Sequence, residues 1–402
     1  MTTSRLQDYS VLAVIPARGG SKGVPRKNLR IVAGKPLIVR TVETCLAAKT
    51  VSRVVVSTDD PAIGELSQRS GAEVVWRPPE ISGDHARSEE AVLHVLDTLR
   101  HSEGYVPDIV LLVQCTSPLT LSEDIDATVY KLLQEGADCA FAATLFHGFL
   151  WRTDEVLGAV GINHDSTVRL RRQDLPPQYL ETGAVYAMRT EGFLKARHRF
   201  FGRLALYVMP SERCLEIDSP HDLITASVLL RERQRNERLS CLPWPVAAVV
   251  LDFDGVLTDN RVITTQDGHE AVLCNRSDGL ALSRLKTLGI RLLVLSAEEN
   301  PVVGARCAKL GIPCIQGCSD KLSALQAWAR EEGINLNNVI YVGNDVNDIS
   351  CLQAVGCGVV VGDAHPTARS VARITLKAKG GYGAVRELAD MILERAGVED
   401  RA

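Results

Sequence analysis

At 402 residues, 46% of them hydrophobic and 23% charged, the chain has the size and balance of a soluble protein with two domains rather than one. Its 45 Lys and Arg against 49 Asp and Glu leave a net charge of −4, which argues against a polyanion such as nucleic acid as partner. No uncharged apolar run approaches the roughly 18 residues that a membrane span needs. The N-terminal stretch runs directly into a strand-like segment without a signal-peptide pattern. The 11 cysteines are scattered singly with no CxxC pair. A soluble enzyme of the reducing cytoplasm, with neither a nucleic-acid nor a membrane partner, is the expectation.

Along the chain, short branched runs predict strands at VLAVIP (11–16), RVVVST (53–58), DIVLLVQ (108–114) and AVYAM (184–188), then at VAAVVLD (246–252), IRLLVLS (290–296) and VIYVG (339–343). Helical periodicity fills PLIVRTVETCLAAK (36–49), SEEAVLHVLDTLRHS (88–102) and DKLSALQAWAREEG (320–333). This alternation predicts an α/β fold built on parallel sheets. A helix opening near Asp222 continues through RERQRNER until Pro243 and Pro245 stop it, so a boundary falls near residue 240, giving domains 1–240 and 241–402.

Directly after the first strand comes PARGGSKGVPRKNLR (16–30), with five cations (Arg18, Lys22, Arg26, Lys27, Arg30), three glycines and no acid. Glycine lets backbone N–H groups approach a polyphosphate closely, and the cations offset its charge. Ligands of open α/β sheets bind beyond the carboxyl ends of the strands, where this loop begins. It follows neither the P-loop nor the dinucleotide fingerprint. Asp59 and Asp60, after the second strand, read as caps of a helix starting at Pro61.

PARGGSKG followed by KN resembles the signature of the cytidylyltransferases that activate nonulosonic acids, the CMP-sialic acid synthetases. The resemblance implies that Arg18, Gly19, Gly20, Ser21, Lys22, Lys27 and Asn28 hold the triphosphate of CTP, with Arg18 and Lys22 catalytic. Further motifs follow in order. RPPEISGDHARSEEAV (77–92) matches the nucleotide-recognition segment through Arg77 and Ser88, and VQCTSPL (113–119) places Gln114 at the mouth of the site. RRQDLPPQYLETGAVY (171–186) is similar to the sugar-binding segment through Arg172, Gln173 and Tyr186. LEIDSPHDL (215–223) supplies Glu216 and Asp218, an acidic pair suited to Mg2+, whose strand-like spacing puts both on one face. Relatives carry Asp where Glu216 stands and Asn where Thr182 stands, and Arg152 is the candidate for a further cation near the sugar. The implied reaction is attack of the anomeric hydroxyl of a 2-keto sugar acid on the α-phosphorus of CTP, releasing pyrophosphate.

In the second half, VVLDFDGVLTD (249–259) is a strand ending in D-x-D, the arrangement of haloacid-dehalogenase-type phosphatases. There Asp252 is the expected nucleophile and Asp254 the general acid and base. Ser296 and Lys321 are the expected phosphate contacts, and GNDVNDISCL (343–352) the terminal metal loop. That loop usually begins Gly-Asp, but Asn344 follows Gly343, so the metal set is Asp252, Asp254 and Asn344 with Asp345, or else Asp348. The half resembles the phosphatases of sugar-acid phosphates such as KDO 8-phosphate, and KGGYGAVREL (379–388) resembles their tail, which in relatives reaches a neighbouring subunit of a tetramer.

Together the resemblances imply two Rossmann-like domains, an N-terminal nucleotide-diphospho-sugar transferase type and a C-terminal HAD-like one, assembled as a homotetramer. Three alternatives stay open: a cytidylyltransferase for Kdn, legionaminic acid, pseudaminic acid or KDO; a protein whose main activity is sugar-acid phosphate hydrolysis; and a second domain that is weakly active or serves only tetramerisation.

Overall fold

Apolar residues, mostly branched, at 11–15, 54–56 and 109–113 leave no polar face, so these runs fold as strands covered on both sides. The computed structural model describes residues 9–398 apart from Lys22, Asp84, Arg169 and the side chain of Arg172. The chain folds into two compact units, Met1–Arg231 and Glu232–Ala402, which part inside one helix, Pro220–Ser240.

In the first unit β1 (Val11–Pro16), β2 (Arg53–Thr58), β3 (Glu73–Trp76), β4 (Ile109–Val113), β5 (Cys139–Phe146), β6 (Gln178–Arg189) and β7 (Leu204–Val208) form a seven-stranded sheet in the order β7-β5-β6-β4-β1-β2-β3. Alternate β1 residues feed opposite cores. Val11, Ala13 and Ile15 pack with α1 (Leu37–Ala47), α2 (Pro61–Arg69) and α4 (Ser122–Gln134), while Leu12 and Val14 pack with α3 (Ser88–Glu103) and α5 (Thr190–Ala196). The sheet is not wholly parallel. β6 runs antiparallel to both β4 and β5 and is much longer than its apolar AVYAM segment, because hydrogen bonds to β5 extend it back to Gln178.

The second unit has a six-stranded, all-parallel sheet: β8 (Ala248–Leu251), β9 (Arg291–Leu295), β10 (Cys314–Ile315), β11 (Val339–Gly343), β12 (Cys357–Val360) and β13 (Ile374–Thr375), in the order β10-β9-β8-β11-β12-β13. In each unit the strand leading into the motif, β1 or β8, is flanked by parallel neighbours on both sides, so its carboxyl end opens where ligands of such sheets bind. All eleven cysteines are free thiols. No helix among the described residues is long and apolar enough to cross a membrane.

Candidate functional site

The loop after β1 is fastened from several sides. Asn28 Nδ2 donates to the Arg18 carbonyl (3.0 Å), the Gly19 N–H donates to Asp59 Oδ1 (2.9 Å), and Arg18 donates to the Gly83 carbonyl (2.6 Å). A cleft of about 370 Å³ opens beside it, walled in part by Arg18, Ser21, Lys27, Asn28, Arg77, Ser88 and Gln114. Seven of the residues expected at the nucleotide and the site mouth therefore meet in one place. Arg77 is 8% exposed and donates to Ser57 Oγ (3.2 Å) and to its carbonyl (2.8 Å). Burial pulls its pKa down, opposed by Asp59 and reinforced by Arg18. Ser88 begins α3, so the positive end of a 16-residue helix faces the cleft. Gly19 and Gly20 lie in the loop without forming the wall, and Lys22 lies outside the described residues.

The acidic pair is held close to this loop. Residues 214–218 form no strand. The Ile217 N–H donates to the Thr116 carbonyl (2.8 Å), Ile217 is buried, and Glu216 and Asp218 are both largely exposed. Glu216 and Asp218 thus flank a buried residue without the ladder of a strand. Lys27 joins the two segments: its ammonium donates to the Ile217 carbonyl and stands 3.3 Å from Asp218 Oδ1. A Cβ on Gly23 would stand 2.5 Å from the Asp218 carbonyl oxygen, so only glycine lets the loop come this near. The Thr116 hydroxyl oxygen lies 3.2 Å from both Glu216 Oε1 and Gln114 Oε1, and its one proton serves either. The longer Glu216 arm reaches over Gly183, where a Cβ would be 3.1 Å from Glu216 Oε2. Partial burial, and then Asp218, push the Glu216 pKa up. Two adjacent hard carboxylates beside this cleft suit a divalent cation such as magnesium.

The sugar-side residues are dispersed. Gln173 is exposed on the turn Arg172–Asp174, and the Arg172 side chain lies outside the described residues. Tyr186 is 3% exposed: its hydroxyl donates to Glu181, and the Arg199 guanidinium lies 4.5 Å over its ring. Neither Gln173 nor Tyr186 lines the cleft. Thr182 is turned into the sheet and donates to the Ala142 carbonyl (2.9 Å). Arg152 is exposed on the hairpin formed by Trp151–Asp154 and Gly158–Gly161.

In the second unit Asp252, 5% exposed, follows β8 and stands 2.9 Å from Lys321 Nζ. Lys321, itself buried at the start of the helix Lys321–Glu331, also reaches Asp348 (2.8 Å). Burial and Asp348 push Asp252 up to about 7 against the pull of Lys321. Burial, and then Glu298, raise Asp254 as well. Ser296, 1% exposed, follows β9, and its hydroxyl accepts from the Glu298 N–H (3.1 Å).

The terminal loop is arranged differently from the expectation that Asp345 or Asp348 would replace the missing carboxylate. Asp348 is fully buried and accepts from Lys321, Tyr341 Oη (2.7 Å) and the N–H groups of Asn344 (2.8 Å) and Asp345 (3.3 Å), so it is saturated as an internal support. Asp345 accepts from the Val346 N–H (2.7 Å) and caps its own turn. Asn344 is the side chain that lies over the D-x-D loop, since a Cβ on Gly255 would stand 1.9 Å from its Nδ2. Among the described residues no three His, Cys, Asp or Glu side chains are grouped as a metal cage. The KGGYG stretch packs on the D-x-D loop of its own chain, with the Gly381 N–H donating to the Val256 carbonyl (3.0 Å) and Tyr382 Oη to Asp259 (3.4 Å).

Residues 12–201 match the family model described as cytidylyltransferase, and residues 314–387 match that of haloacid dehalogenase-like hydrolase. N-acylneuraminate cytidylyltransferase A of Danio rerio is 31% identical over 97% of this chain and 90% of its own length. The chain belongs to the N-acylneuraminate cytidylyltransferase family. A pseudaminic acid cytidylyltransferase of Campylobacter jejuni is 31% identical over 55% of this chain and 96% of its own. A solved 3-deoxy-D-manno-octulosonate 8-phosphate phosphatase from Moraxella catarrhalis, in complex with magnesium, phosphate and KDO, is 31% identical over 40% of this chain and 92% of that one, with a TM-score of 0.38.

As a member of the N-acylneuraminate cytidylyltransferase family the chain is an enzyme carrying both folds in tandem. Its structure also adds residues that motif reading overlooked. Asp60 caps α2, accepting from Ala62 N–H (2.8 Å) and Ile63 N–H (3.3 Å), but its neighbour Asp59 instead grips Gly19. Their sequence signal is identical, and only the position of the loop separates them. Thr116 sits inside the quoted QCTSPL motif and joins Gln114 to Glu216.

Proposed function

We propose that the first unit transfers CMP from CTP to the anomeric oxygen of a sialic acid or a related nonulosonic acid. The observation that carries this reading is Lys27, which lines the cleft and spans to Asp218, so phosphate-binding cations and metal-suited carboxylates bear on one point. The triphosphate lies against Arg18, Ser21, Lys22, Lys27 and Asn28 and the positive end of α3, with Arg77 and Ser88 toward the nucleoside. The sugar oxygen bonds to the α-phosphorus, the α–β bridging P–O bond breaks, pyrophosphate leaves and the hydroxyl proton passes to water. Glu216 and Asp218 would hold a magnesium ion together with substrate phosphates, and that ion would supply offsetting charge. Gln114, held near Glu216 through Thr116, orients the sugar at the mouth, and Arg172, Gln173 and Tyr186 are the further residues assigned to sugar binding. The sugar's substituents separate this reading from Kdn, legionaminic, pseudaminic acid or KDO as substrate.

In the same reading the second unit, from near residue 240, is a weak Mg2+-dependent phosphatase and an assembly module of a cytoplasmic homotetramer. The linked Asp252, Lys321 and Asp348 favour residual chemistry, while Asn344 in place of a carboxylate weakens metal binding. The test is pyrophosphate release from CTP and Mg2+ across a panel of nonulosonic acids. One acid should drive release with matching CMP-sugar formation; release that ignores the acid, or none with any, contradicts the proposal.

A further inference from the structure

We propose that Asp124 and Arg213 are positioning residues that set where Glu216 and Asp218 stand, and thereby the affinity of the cleft for a divalent cation. The inference rests on the reading of that pair as metal ligands.

Residues 214–218 have no strand ladder to place them, so their position depends on how each end is tied. Downstream, Asp222 Oδ2 accepts from the N–H groups of Asp218 (3.0 Å) and Ser219 (2.7 Å). In the middle, Ile217 bonds to Thr116 and Lys27. Upstream, the turn Ser211–Arg213 is tied by the Arg213 guanidinium, which donates to Asp124 Oδ1 at 2.7 Å.

Asp124 is fully buried in the first turn of α4, where its Oδ2 accepts the Leu121 N–H (2.9 Å) and its Oδ1 also accepts the Tyr207 hydroxyl (2.8 Å) from β7. A helix start, a strand and the turn thus converge on one carboxylate. A buried charge offers Arg213 one well-defined seat, and Glu216 follows only three residues later. Without the guanidinium, Asp124 keeps two donors, so the fold has support while the turn loses its tether.

The experiment titrates the full-length protein with Mn2+ in the presence of CTP, reading free Mn2+ by electron paramagnetic resonance, and measures CTP binding without metal by calorimetry. Arg213→Met should weaken Mn2+ binding about 10-fold, the scale of losing a residue that orients a metal ligand, with metal-free CTP binding unchanged and partial recovery in Arg213→Lys. Asp124→Asn, which keeps an acceptor and drops the charge, should shift Mn2+ the same way and serves if Arg213→Met melts too low to assay. Unchanged Mn2+ affinity in a folded variant of either residue overturns the proposal. An equal loss of metal-free CTP binding also overturns it, by assigning the pair to the nucleotide loop. If Glu216→Gln with Asp218→Asn leaves Mn2+ binding intact, the reading of the acidic pair itself fails, a distinct result.

Discussion

Lys27 is committed twice, to the Ile217 carbonyl and to Asp218, and it is the cation that most directly joins the phosphate loop to the carboxylates. Lys27→Met should lower kcat/KM for CTP by about 100-fold, the scale of removing one group that stabilises developing charge, with little change in melting temperature. Near-wild-type turnover would show that the loop's other cations suffice. In the second unit the raised Asp252 makes a pH prediction. Its folded pKa, about 7, lies above that of an unfolded carboxyl, so the folded chain binds the extra proton between the two values. Stability contributed by that proton is full below about pH 4, where the unfolded group titrates, and is lost as pH rises through the folded value. Asp252→Asn should therefore flatten the stability of the second unit from about pH 4 to 7 in EDTA, and should abolish phosphate hydrolysis while leaving CMP transfer intact. An unaltered pH slope in urea unfolding would contradict the assignment.

At the scale of elements, the approach of the phosphate loop to the acidic segment is a backbone contact that no side chain can adjust. Gly23→Ala puts a methyl group 2.5 Å from the Asp218 carbonyl and should cost on the order of 100-fold in kcat/KM, as a displacement of about 1 Å does, while the sheet stays folded. Steady-state kinetics beside circular dichroism decides it; unaltered kinetics would mean that the contact yields freely. Elements with strong local signals were legible from the sequence: VLAVIP and VIYVG form strands at their expected bounds because continuous branched runs suit a strand buried on both faces. The antiparallel sense of β6 was not legible, since strand direction is decided by partners distant in sequence. Likewise Glu216 and Asp218 alternate as in a strand without being one, because the burial of Ile217 and bonds to Thr116, Lys27 and Asp222 hold the segment in place of a ladder. The loop cations were recognisable by their density. The roles of Asp59, Thr116 and Asp124 were not, because each depends on a contact from another part of the chain.

At the scale of the whole molecule, each unit carries its reactive groups at the carboxyl end of a strand within its own parallel array, and the residues named for each reaction come from one unit alone. A chain ending near residue 240 should thus retain CMP transfer, and, on the proposed assembly through the second unit, light scattering should find it in a smaller particle than the full chain. Unchanged stoichiometry would move the assembly surface to the first unit. The most direct test of the central claim follows the reacting oxygen. With the anomeric hydroxyl of the preferred sugar acid labelled with 18O, mass spectrometry should find the label bridging sugar and phosphorus in the CMP-sugar, and none in pyrophosphate. Label absent from the CMP-sugar, or recovered in pyrophosphate, would contradict attack by the sugar oxygen on the α-phosphorus.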